Sequence, residues 1–161
     1  MPRTINVAAG QYAVVIPVDV DKPIRVIDWP GGDDELGTLY REIDATEVGM
    51  HTAGGVFAYW INTDIGPDTQ WVANGRSVWL ATALKAPLML VAGAVMVTLA
   101  APDEDGNTQG LSRETADDLA DIARGTPHHD VDALTRLLVR ARDHGPVLLV
   151  FDTALARDFL I

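Results

Sequence analysis

The chain contains no cysteine. Disulfide staples, thiolate zinc sites and cysteine nucleophiles are thereby excluded, and a reducing cytoplasm is the expected compartment. Basic side chains are scarce as well, with 12 Lys and Arg against 23 Asp and Glu, for a formal charge of −11. The deficit falls on both halves, −6 over residues 1–80 and −5 over residues 81–161, so neither half is a basic platform for nucleic acid. A field of that sign repels duplex phosphates and anionic membrane surfaces, and no direct nucleic-acid or membrane partner is expected. Long apolar runs are also missing. The longest, LMLVAGAVMVTLAA from Leu88 to Ala101, has 14 residues, short of the roughly 20 that a membrane-spanning helix needs. At the N-terminus Pro17, Asp19 and Asp21 interrupt the chain before any apolar stretch of signal-peptide length. No G-x-S-x-G elbow, Walker loop or G-x-G-x-x-G fingerprint occurs, and no cofactor is expected.

What is present is enough to build a core: 161 residues, 48% of them apolar, one domain's worth of chain. Tyr12–Val18 and Pro23–Trp29 are β-branched runs separated by the acidic turn DVDK, which predicts a hairpin. Pro17 predicts an edge or a bulge for the first of them. The segment DDELGTLYREID opens with acids and repeats Leu36, Leu39, Tyr40 and Ile43 at helical spacing. Thr46–Thr52 and Val56–Thr63 flank Ala53-Gly54-Gly55, a second hairpin. In its second strand Phe57, Tyr59 and Ile61 alternate with Val56, Ala58, Trp60 and Asn62, so both faces of the sheet are expected to be covered. Ser77 is a candidate cap for a short helix presenting Leu80, Ala83 and Leu84. The run from Leu88 reads as a strand pair, or one strand bent at Gly93. A helix capped by Ser112 and stopped by Gly125 follows, with Ala116, Leu119, Ile122 and Ala123 inward. Asp130 caps a further helix over Val131–His144, and VLLVFD makes a last strand. Strands first and helices later predict an α+β fold: a mainly antiparallel sheet with short helices, plus a C-terminal helix and strand.

The stretches INTDIGPDTQWVANGRSVWLATAL (residues 61–84) and VAGAVMVTLAAPDEDGNTQGLSRETADDLADI (residues 91–122) carry a resemblance. Asn62 ends a strand near an acidic turn, Asn74 precedes Ala81-Thr82, and Gly93 lies in a strand that runs into Asp105-Gly106. In these respects the chain resembles the small proteins grouped as domain of unknown function 3846, frequent in actinobacteria, phages and mobile elements. The resemblance covers residues 12–124 or so, which divides the chain into a family-like domain over 1–125 and a helix–strand extension over 126–161, packed on the same domain. It implies a phage or mobile-element accessory protein in a bacterial cytoplasm, and it lends no catalytic residues.

Candidate sites are few. DEDGNTQGLSRE has oxygen-bearing side chains at positions one, three, five and twelve, Asp103, Asp105, Asn107 and Glu114, the spacing of a calcium loop. Its sixth position, which such a loop reserves for glycine, is Thr108, and an apolar strand stands where the entering helix belongs. An acidic Asp-Gly turn leading to a helix cap is the better account. His128, His129, Asp130 and Asp132 lack the spacing of a metal site, with His51 and His144 distant. Four tryptophans, Trp29, Trp60, Trp71 and Trp79, are explained mainly as core. Trp71 and Trp79, beside Asn62, Asn74 and Arg76, are the candidate binding surface, since Trp and Arg serve often as interface anchors. The function expected is non-enzymatic binding of a host or self protein, in an oligomeric state the sequence leaves open. The alternatives are an acidic DNA mimic of anti-restriction type, with acids ranked along one face, and a small ligand-binding module or enzyme, with a concave pocket and converging polar groups.

Overall fold

The computed structural model describes residues 5–31, 34–53, 55–64, 72–84, 88–125, 135 and 147–150. Its elements are β1 (Ala9–Gly10), β2 (Tyr12–Ile16), β3 (Arg25–Asp28), α1 (Glu35–Glu42), β4 (Val48–Ala53), β5 (Phe57–Asn62), α2 (Gly75–Ala83), β6 (Leu88–Val91), β7 (Val95–Leu99), β8 (Gly110–Leu111), α3 (Arg113–Arg124) and β9 (Val147–Val150). All strand pairings among them are antiparallel. The architecture is α+β, a curled antiparallel sheet with the three short helices α1–α3 delimited among the described residues.

Two hairpins predicted from turn chemistry supply the two sides of the main sheet. β2 pairs β3 with Tyr12 opposite Asp28 and Val15 opposite Arg25, and β4 pairs β5 with Val48 opposite Asn62 and Ala53 opposite Phe57. β7 lies between them, pairing β2 on one side and β5 on the other. The spatial order is therefore β3-β2-β7-β5-β4, with β1 and β8 pairing near the start of β2. β2 is thus a central strand, not the edge or bulged strand that Pro17 predicted. It ends at Ile16, one residue before the proline, so the missing N–H of Pro17 interrupts no ladder.

Both faces of the sheet are covered, as the alternation in β5 predicts. On one face Val14, Ile16, Tyr59, Ile61 and Val97 pack against Leu80 and Ala81 of α2 and Ala116, Leu119 and Ala123 of α3. On the other, Ala13, Val15 and Met96, with the half-buried Trp60, pack against Leu39 of α1, Ile43 and Trp29. The two covers are unequal. With eight residues α1 is about 12 Å long, whereas five strands span about 19 Å from first to last axis. The β4 side of that face is left open, with Met50 43% exposed.

The run Leu88–Leu99 divides at Gly93, whose φ of +81° only glycine adopts without strain. β7 stays in the main sheet while β6 turns away to pair β9, Leu88 opposite Val150. The predicted C-terminal strand is thus present as β9. The helix expected over 131–144 lies outside the described residues, Thr135 excepted, whose Oγ1 accepts the Ala73 amide at 3.0 Å.

Candidate functional site

The chain folds back at the start of α2, and Asn74 controls that point. Its Oδ1 accepts the Ser77 amide at 3.1 Å, which makes Asn74, not Ser77, the cap of α2. Ser77 Oγ donates to the Asn74 carbonyl at 2.9 Å and is itself fully buried. The capping position moves three residues upstream because Asn74 alone has the extended backbone a cap requires. Its Nδ2 donates in turn to the carbonyls of Ile16 at 2.9 Å and Gly93 at 3.0 Å. One amide thereby joins the end of β2, the bend after β6 and the first turn of α2. Asn74 is fully buried and offers no group to a ligand.

Arg76 has a comparable internal role. Its Nη2 donates to the carbonyls of Pro17 at 2.8 Å and Asp19 at 2.9 Å, and its Nη1 to that of Lys22 at 2.9 Å. The guanidinium thus fixes the turn between β2 and β3 by its carbonyls, a geometry that the planar fork suits and an ammonium does not. Burial lowers its pKa from the usual arginine value, and the Asp19 carboxylate opposes that change.

Beside this turn lies a cleft of about 500 Å³. Its apolar wall comes from Val15, Val18, Ile43, Ala92 and Ala94, and its polar rim from Asp19, Lys22, Arg25, Glu42, Asp44 and Asn62. Arg25 and Glu42 form an ion pair at 2.8 Å across the rim, linking β3 to the last turn of α1. Asp44 has φ +50°, alone among the described non-glycine residues in being left-handed, a conformation that aspartate tolerates better than most side chains. It reverses the chain directly after α1 and brings Asp44 onto the rim. Asn62 Oδ1 accepts the Asp64 amide at 3.1 Å, while its Nδ2 has no acceptor among the described residues. The cleft combines an apolar floor, both signs of charge and, on the Asn62 and Lys22 side chains, donors without an acceptor among the described residues.

Of the residues proposed from sequence, Asn62 is on this rim and Arg76 holds the turn that forms it. Asn74 is underneath, Trp79 is half-buried on α2, and Trp71 lies outside the described residues. Of the four described, Asn74 is thus buried rather than part of an exposed face with Asn62, Arg76 and Trp79. The rim residues Lys22, Arg25, Glu42 and Asp44 escape sequence reasoning because they come from two separate stretches of chain, 22–25 and 42–44, that meet only in the fold. The left-handed Asp44, in the short loop between a helix and a strand, is the nearest thing to a local signal.

The calcium spacing resolves into a turn. Asp103 Oδ1 accepts the amides of Asp105 and Asn107, both at 2.9 Å, and the Gly106 amide donates to the Asp103 carbonyl at 3.1 Å, with Gly106 at φ +81°. Glu114 stands beyond the loop in the first turn of α3, and among the described residues no three His, Asp or Glu side chains gather as metal ligands. Ser112 caps α3 as expected, accepting the Thr115 amide at 3.1 Å. Gly125 ends that helix at φ −77°, without the left-handed turn a glycine stop usually takes. His51 is exposed on β4, and His128, His129, Asp130 and Asp132 lie outside the described residues.

These features define an α+β protein with a charged-rim cleft beside a central strand. Comparison with protein-family models, with curated proteins and with solved structures gives no match. No helix among the described residues is long and apolar enough to cross a membrane.

Proposed function

We propose that this chain is a non-enzymatic binding protein whose cleft receives a short segment of a host protein, as an accessory of a phage or mobile element in a bacterial cytoplasm. The cleft carries the proposal: an apolar floor of Val15, Val18 and Ala94 beneath a rim bearing both Lys22 and Asp44. Such a site suits an apolar side chain flanked by charges of either sign. The genetic context rests on the resemblance of residues 12–124 to the phage-associated family. Compared with the sequence-derived surface, the binding face moves from the tryptophans to the cleft, because Asn74 and Arg76 are already committed to internal hydrogen bonds.

The DNA-mimic alternative has less support. On α3, which carries Glu114, Asp117, Asp118 and Asp121, Arg113 pairs with Asp117 and Arg124 with Asp121, both at 3.1 Å, so the row of negative charge is broken by its own cations.

Affinity capture from a host bacterial lysate tests the reading. Val18→Trp fills the cleft from its half-exposed wall, and it is expected to abolish capture while leaving the circular dichroism unchanged. Asn62→Ala is expected to weaken the captured complex by roughly tenfold, as for one lost hydrogen bond of about 1.4 kcal/mol. A partner retained in full by Val18→Trp, or no partner at all, would remove the proposal.

A further inference from the structure

Among the described residues no strand pairs with the outer edge of β4, and the hydrogen-bonding pattern of that edge follows from two observations. The Thr63 amide donates to the Glu47 carbonyl at 2.8 Å, and β4 pairs β5 residue by residue from Val48 opposite Asn62 to Ala53 opposite Phe57. Antiparallel pairs alternate between hydrogen-bonded and non-bonded. Residues 47, 49, 51 and 53 therefore turn their backbone groups towards β5, and Val48, Met50 and Thr52 turn theirs outward. The Ala100 amide donating to the Val56 carbonyl at 2.8 Å, on the other side of β5, agrees with that alternation. The outward N–H and C=O groups of Val48, Met50 and Thr52 have no hydrogen-bond partner among the described residues. Met50, His51 and Thr52 are all exposed.

Free edges are ordinarily guarded by a lysine, a proline, a bulge or a covering segment. β4, VGMHTA, has no charged residue, no proline and no bulge. The opposite edge strand, β3, carries Arg25 and Asp28. In a chain of charge −11, β4 is thus an edge at which a second copy approaches without opposing like charges.

We infer that β4 joins β4 of a second copy, antiparallel, about a twofold axis at Met50. Only the register centred there uses all three outward residues on each chain. Met50 exchanges both hydrogen bonds with Met50 of the second copy, and Val48 and Thr52 exchange theirs reciprocally. On the open face the two Met50 side chains meet over the axis and cover part of what the short α1 leaves exposed. On the opposite face His51 falls across from Gly49 of the second copy, where no side chain competes for space. Glu47 falls across from Ala53, so carboxylate does not face carboxylate. The two seven-stranded sheets merge into one of fourteen strands, and the proposal stands independently of the cleft.

Light scattering and sedimentation of the full chain give the first test, with twice the chain mass expected. Met50→Lys is expected to leave a monomer with unaltered circular dichroism, because its backbone groups face away from β5 while two ammonium groups would meet on the axis. The absence of native cysteine gives a second test that needs no mass measurement. Cα atoms in a hydrogen-bonded antiparallel pair are about 5.5 Å apart, within disulfide range. Met50→Cys is therefore expected to cross-link under mild oxidation. Thr52→Cys is not, since its counterpart lies about 14 Å away along the strand. A monomer at every soluble concentration, a dimer that Met50→Lys leaves intact, or equal cross-linking of the two cysteine variants would each overturn the inference.

Discussion

Tyr59 shows how a single residue reads differently in sequence and in structure. Its place in an alternating strand predicts burial, and it is completely buried. That its hydroxyl donates to the Ser77 carbonyl at 2.8 Å depends on α2 crossing over the sheet, which no local pattern records. Burial raises the phenol far above its ordinary value of 10.0, with a smaller opposing effect from the Ala81 amide. The phenolate is therefore disfavoured in the folded chain. Stability from this group is fully present below the unfolded value of about 10 and is lost as pH rises above it. Chemical denaturation of Tyr59→Phe should show a loss of about 1 kcal/mol at neutral pH, for one buried hydrogen bond removed. It should also show a shallower decline than the parent chain above pH 10 or so. An alkaline limb unchanged by the substitution would assign that decline to other groups.

At the level of elements, the hairpins and α3 were legible because each rests on local chemistry. Asp19 accepts the Asp21 amide at 2.9 Å within the first turn, and Ser112 caps the helix it was expected to cap. α2 was only half legible. Its inward residues are Ser77, Val78, Leu80 and Ala81, while Ala83 is exposed and Leu84 only half-buried, because the helix packs on β6 and α3 as well as on the sheet. The cap of α2 is itself local, the Ser77 amide donating to Asn74 Oδ1 three residues back. Asn74 and Ser77 are both good capping residue types, however, and the choice between them is fixed by the Asn74 bonds to Ile16 and Gly93, which are distant in sequence. Asn74→Ala removes one cap and two donors to largely buried carbonyls, an expected cost of about 2–4 kcal/mol. For a chain of this length that lowers the melting temperature by roughly 5–15 °C. Asn74→Asp keeps the cap acceptor but loses both donors, so calorimetry of the pair separates the two contributions.

For the whole molecule, sheet class and strand direction could be read from the sequence, whereas strand order could not. β7 inserts between two hairpins that are complete without it, and its pairings with β2 link residues such as Val14 and Val97. Turn residues fix neighbours in sequence, not which hairpin a later strand enters. The cleft was unreadable for the same reason, since its rim collects residues from Asp19 to Asn62 around a floor that includes Ala92 and Ala94. The charge of −11 is legible at once, and it bears on association. If two copies meet through the uncharged β4, salt screens only their general repulsion, and dimerisation should strengthen as ionic strength rises. Sedimentation across a salt series checks the sign, which is opposite to that of a complex held by charge pairs.

The three segments joined by Asn74 also carry a consequence for the order of folding events. Its bonds to Ile16 and Gly93 close loops of 58 and 19 residues, so neither forms until distant parts of the chain have met. Contacts of that kind are late ones. Removing them should quicken unfolding and leave the refolding rate almost unchanged, which makes Asn74 a determinant of how long the native state lasts once formed.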